Sequence, residues 1–160
     1  NQMLIDGELD AVFSAREMAC FVKKEPNIGL MFPNYEEVEA KYFSRTKNFP
    51  IMHLIGIKKD LVAKYPWLPG TLYKAFCKAK DLALADMRAM SASLLTLPWA
   101  EKTLAQAEHQ LGRDFWRYGI NESLHEIETL ARYSCEQGLA TRILSPQEIF
   151  HPSVFEVSRT

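Results

Sequence analysis

What constrains this chain most is how few strands it offers. Only two stretches read strongly as strands. Residues 9–13 (LDAVF) are apolar enough for a short buried strand. Residues 49–58 (FPIMHLIGIK) are rich in Ile and Phe, and Pro50 is admissible only near the start or on an edge. The rest is punctuated helix or loop, in all about five helices against two or three strands. Two strands do not make an independent sheet. The expectation is therefore an α/β fold in which this chain's strands complete a sheet whose other strands come from residues outside it, or from another chain.

The start of the chain supports that expectation. Met3, Leu4 and Ile5 read as the last turn of a helix, ended by Asp6-Gly7 with Gly7 as its C-cap. There is no basic leader and no cleavage site, so the segment does not read as a signal peptide. A chain opening on the tail of an element is expected to be part of something longer.

The helical punctuation is clearer than the strands. Asn34 is placed to cap a helix to about Ser44, with Glu36 and Glu37 in the first turn, where the helix dipole favours acids. Asp60 precedes a short helix, and a long one is expected from about Gly70 to Ala92. Its mainly apolar stripe would be Leu72, Ala75, Phe76, Ala79, Leu82, Ala83 and Asp86, with Lys74, Lys78 and Lys80 on the wetted side. A helix following Leu97-Pro98-Trp99 should stop at Gly112, leaving Phe115 and Trp116 in a loop. Asn121 is expected to cap a helix over residues 122–137, ended by Gly138. Ser145-Pro146 with Glu148 reads as a capping box.

Composition excludes several classes of partner. The 160 residues suffice for one ordinary domain, and a net charge of −1 provides no broad basic surface for nucleic acid or anionic lipid. No apolar run approaches the roughly 20 residues of a membrane span. Cys20, Cys77 and Cys135 are scattered and odd in number. They read as small buried hydrophobes in a reducing compartment, and the expected location is cytoplasmic. Glycine-rich nucleotide loops, H-E-x-x-H, C-x-x-C and G-x-S-x-G are all absent, and His53, His109, His125 and His151 share no metal spacing. No cofactor is expected, and the need for a divalent metal is left open.

Two places remain where chemistry is plausible. Ser14-Ala15-Arg16 follows the first strand, and a cation with a hydroxyl at a strand end makes a carboxylate clamp. A guanidinium holds both oxygens of an acid in parallel hydrogen bonds. The plainer alternative is an Arg16 paired with Glu17 or solvent. His53 lies between Met52 and Leu54 in the second strand. Its plain role is a core histidine bonded to a backbone carbonyl, and its functional role a proton donor working near neutrality.

The run FPIMHLIGIKKDLVAKYPWLPGTLYKAFCKAKDLAL (49–84) resembles the 4,5-dihydroxyphthalate decarboxylase family. The resemblance continues through LPWAEKTLAQAEHQLGRDFWRYGI (97–120) and IETLARYSCEQGLATRILSPQEIF (127–150), and upstream through LIDGELDAVFSARE (4–17). It covers nearly the whole chain, and its specific parts are FPIMH, the PWLPGTLYKAF block and the DFWRYG loop. It implies a type 2 periplasmic-binding-protein-like fold of two α/β lobes around a cleft, of which this chain would be the C-terminal portion. Residues 1–48 would end the second lobe and form the hinge region, and residues 49–160 would return into the first lobe. The implied reaction removes one carboxylate of 4,5-dihydroxyphthalate, giving protocatechuate and CO₂. Arg16 would anchor the retained carboxylate with Ser14 assisting, and His53 would supply the proton or polarise a phenol. The ligand is thus expected to be a small aromatic carboxylic acid, with a homo-oligomer possible through an uncovered sheet edge. The competing expectation is a solute-binding protein for a small aromatic or organic acid, because one fold serves many functions.

Overall fold

The computed structural model describes residues 1–89 and 96–157. The chain divides into two compact units, Asn1–Lys41 and Tyr42–Thr160.

In the first unit, α1 (Gln2–Ile5) ends at Gly7, whose φ is +75°. The amide of Gly7 donates to the Leu4 carbonyl and that of Glu8 to the Met3 carbonyl, a paired closure that uses the last free carbonyls of the turn. A second short helix, α2 (Ala19–Val22), carries Cys20, the buried residue of this unit. Helix α3 (Tyr35–Thr46) begins in this unit directly after Asn34, with Glu36 and Glu37 in its first turn, has its last residues, from Tyr42 on, in the second unit, and runs two residues past the expected end.

The second unit contains α4 (Lys59–Lys64), α5 (Leu68–Arg88), α6 (Ala100–Leu111), α7 (Leu124–Glu136), α8 (Pro146–Ile149) and a 3₁₀ turn at Pro152–Val154. Helix α5 starts over Pro69, whose missing N–H costs nothing in a first turn. It ends at Arg88 with Ala89 as its cap, so the last residues of the expected helix, 90–92, lie outside those described. Gly112 (φ +92°) and Gly138 (φ +73°) stop α6 and α7, and the capping box at Ser145 and Glu148 is formed. Helix α7 starts two residues later than expected, with Ser123 in place of Asn121 at its N-cap. The reason is tertiary: the Asn121 side chain donates instead to the Phe155 carbonyl at 3.1 Å.

The expected α/β fold is not what the described residues form. They are helical, with no strand among them, and neither 9–13 nor 49–58 pairs with another segment. A strand is stabilised by a neighbour that takes its N–H and C=O groups and packs its side chains. Neither segment meets such a neighbour, so both stay irregular and largely exposed. Phe13 is 95% accessible, and Met52, Leu54 and Ile55 are all exposed.

Helix α5 also presents a different side to the core from the one expected. Its buried or half-buried positions are Leu68, Pro69, Gly70, Leu72, Tyr73, Cys77, Lys80, Leu84 and Arg88, so of the expected stripe Leu72 is covered, whereas Ala75, Phe76, Ala79, Leu82 and Ala83 are exposed. Lys80 is not on a wetted side. Its side chain is 7% exposed, donates to Asp114 and to the Trp116 carbonyl at 3.0 Å each, and lies 4.7 Å from the Tyr118 ring centroid. Arg88 reaches Glu108 on α6 with Nε at 3.0 Å. At the other end of α5, a side chain on Gly70 would meet Val157 at 3.0 Å, so glycine lets the C-terminal segment approach the helix closely. These ties fix α5 against the 112–119 loop and the 3₁₀ turn, which are two walls of the site.

Candidate functional site

The second unit holds a cleft of about 1100 Å³. Residues 49–57 form one wall, and Leu72, Tyr73 and Phe76 of α5 form another. The 115–120 loop, the first turn of α7, residues 149–152 with Val154, and Lys59, Val62 and Ala63 of α4 with Pro66 and Pro69 complete it. The lining is mostly apolar and aromatic with a few polar groups, the usual make-up of a small-molecule site.

Each wall has a local cause. Segment 49–57 is irregular and pairs with no strand, and Phe49 anchors its start. The Phe49 ring packs edge-on against Phe115 (5.9 Å) and Trp116 (5.6 Å). The 115–120 loop is held from behind by Lys80, and the Tyr73 hydroxyl donates to the Tyr118 carbonyl at 3.4 Å. Helix α7 is tied to the end of α3 by a hydrogen bond between His125 Nε2 and the Thr46 carbonyl at 3.1 Å.

His53 lies on the cleft wall and is exposed. It has no protein hydrogen-bond partner among the described residues, so it is not the buried core histidine that its apolar neighbours suggested. His151, also on the wall, is engaged locally. Its Nδ1 is 2.9 Å from the Ser153 hydroxyl and accepts from the Ser153 amide at 3.3 Å, which places any proton of a neutral ring on Nε2. Ser14 and Arg16 belong to the first unit. The Ser14 hydroxyl donates to the Arg16 carbonyl at 2.7 Å and accepts from the Arg16 amide at 3.2 Å, closing a small turn that leaves the Arg16 side chain exposed. Arg16 forms no ion pair among the described residues, with Glu17 or any other acid.

Sequence reasoning passed over one pair on the cleft wall. Arg117 donates from Nη2 to Glu126 Oε1, and the Phe49 amide lies 3.5 Å from the same oxygen. The Glu126 side chain is 3% exposed and that of Arg117 35%. Glu126 Oε2 is buried without a donor among the described residues. An acid in the first turn of a helix looks like an ordinary dipole partner, which hid Glu126. Arg117 stood inside the DFWRYG loop, a signal that pointed to the segment but not to the residue. Among the described residues no three His, Cys, Asp or Glu side chains are grouped as a bound metal would require. None of the described helices is long and apolar enough to cross a membrane.

No family model matches the chain. Among individual proteins, it is 38% identical over 156 residues to a 4,5-dihydroxyphthalate decarboxylase of Comamonas testosteroni. That alignment takes in 98% of this chain and 47% of the relative, so the chain spans about half the length of the protein it matches. The likeness takes in nearly the whole of this chain, so the chain is similar to that decarboxylase through both of its units.

Proposed function

We propose that this protein takes part in decarboxylating a dihydroxylated aromatic acid, 4,5-dihydroxyphthalate, to protocatechuate and CO₂. The observation that carries the reading is the 38% identity across 98% of the chain to a protein of that name. The cleft agrees in kind, being apolar, aromatic-lined and wide enough for a single ring.

The chemistry sets the requirements. The bond between the ring and one carboxylate breaks, its electron pair stays on the ring carbon, and CO₂ departs. That carbon must then take a proton from a general acid. His53, exposed on the cleft wall and free of protein partners, is the proposed donor. A phenol oxygen para to the reacting carbon helps by pushing electrons towards that carbon, so that it can take the proton, once a base holds or takes the phenol proton. The retained carboxylate needs a cation, and the family resemblance implies Arg16 with Ser14 for that role. Apolar walls favour the reaction, because a carboxylate is less stable out of water than the neutral CO₂ it becomes.

The test is to incubate the intact protein with 4,5-dihydroxyphthalate, with and without divalent metal, and to follow CO₂ release and protocatechuate by chromatography. Turnover is expected. Saturable binding of aromatic acids without turnover would move the protein to the solute-binding class. Replacing His53 with Gln is expected to abolish turnover and leave the circular dichroism spectrum unchanged. Retained turnover would remove His53 from the mechanism.

A further inference from the structure

One polar pair on the cleft wall has no part in the reaction as written above: Arg117 and Glu126. Its geometry is that of a built anchor. The Glu126 carboxylate is buried, and one of its oxygens receives both the Arg117 guanidinium and the Phe49 amide. The other oxygen has no donor among the described residues. Arg117 therefore cannot swing away without leaving a buried carboxylate with one weak partner, a state that costs far more than a broken surface pair. The guanidinium is held by Glu126 while about a third of the Arg117 side chain (35%) stays accessible, and Arg117 lines the cleft.

A locked guanidinium still has donors to give. It carries five N–H groups arranged as two forks, end-on and side-on, each able to grip both oxygens of a carboxylate. Only one Nη2 hydrogen is spent on Glu126, so whichever one it is, one fork stays complete. Trp116 and Tyr118 flank Arg117 in the loop, Phe49 packs on Trp116, and all three line the same cleft as Arg117.

We propose that Arg117 anchors the carboxylate of an aromatic acid in this cleft, with Glu126 as the positioning residue that holds its guanidinium. The proposal rests on the cleft being the substrate site of the decarboxylase reading, and it assigns the retained carboxylate to Arg117 rather than to Arg16. A cation on the departing carboxylate would oppose its loss as neutral CO₂, so the anchored group is the one that stays.

The experiment uses the intact protein, with phthalate as a probe that lacks the phenols, followed by calorimetry, and 4,5-dihydroxyphthalate, followed by turnover. Arg117→Lys keeps a charge for Glu126 but loses the fork. It is expected to weaken phthalate binding and raise KM by about 10- to 100-fold, with kcat changed less than about threefold. Glu126→Gln should raise KM in the same direction by a smaller factor. If Arg117→Lys does not fold, the double replacement Arg117→Gln with Glu126→Gln removes the guanidinium without stranding a buried charge, and the same loss is expected. Unchanged phthalate affinity and unchanged KM in the folded variant overturn the anchor, as does a wild-type protein that binds no phthalate. A KM that rises in Arg16→Gln and not at Arg117 returns the role to Arg16. The two readings fail separately: loss of phthalate binding on Arg117→Lys, in a protein without turnover, keeps the anchor and removes the decarboxylase.

Discussion

At the scale of single residues, the strongest constraints come from charges whose partners lie far along the chain or just beside them. Glu148 shows the local kind. Arg142 bonds its carboxylate, and the Ser145 amide and hydroxyl each donate to it at 2.9 Å, holding its pKa down to about 2. A carboxyl lowered on folding contributes stability that is fully present above its ordinary range near 4.5 and is lost as pH falls towards 2. The capping box at α8 is therefore expected to survive mild acid and loosen only in strong acid. A carbon-detected NMR titration of Glu148 should show a midpoint near 2, moving up towards the ordinary carboxylate range in Arg142→Ala; an unshifted midpoint in the wild type would remove the pairing. That box was legible in the residues because all of its parts fall within four positions. Glu126 was not, because its partners, Phe49 and Arg117, are 77 and 9 residues away.

At the scale of elements, helix ends were read better than helix faces. Gly7, Gly112 and Gly138 each stop a helix at the expected place, since a positive φ is a local demand that glycine meets at little cost. Which side of α5 is buried is not a local matter. The expected apolar stripe leaves Phe76 and Leu82 exposed, while Lys80 is covered because Asp114, the Trp116 carbonyl and the Tyr118 ring receive its ammonium. A lysine so held should matter to stability. Lys80→Met is expected to lower unfolding free energy by about 1–3 kcal/mol, against about 0.5 kcal/mol or less for Lys74→Met or Lys78→Met on the exposed side. Urea denaturation of the intact protein compares the three, and equal losses would mean that Lys80 holds nothing. The strand readings failed at this scale too. Period and composition describe what a segment can do in a sheet, but not whether a neighbouring strand is present to receive it.

For the whole molecule, the consequence is a cleft with one soft wall. The amides of residues 51–57 donate to no backbone carbonyl among the described residues, while other parts of the wall come from helices α5 and α7. Bound phthalate is expected to slow hydrogen exchange in 51–57 and 115–120 and leave the middle of α6 unchanged. Protection confined to other segments would place the ligand elsewhere. By itself, the amino-acid sequence determined where most helices start and stop and which family the chain resembles, because each follows from neighbours a few residues apart or from the order of residues along the chain. Only the tertiary structure decided that residues 9–13 and 49–58 form no strand, that His53 lines a cleft, and that Arg117 is gripped by a buried Glu126. Those outcomes depend on which distant groups come within hydrogen-bonding or packing distance, and periodicity along the chain carries no record of that.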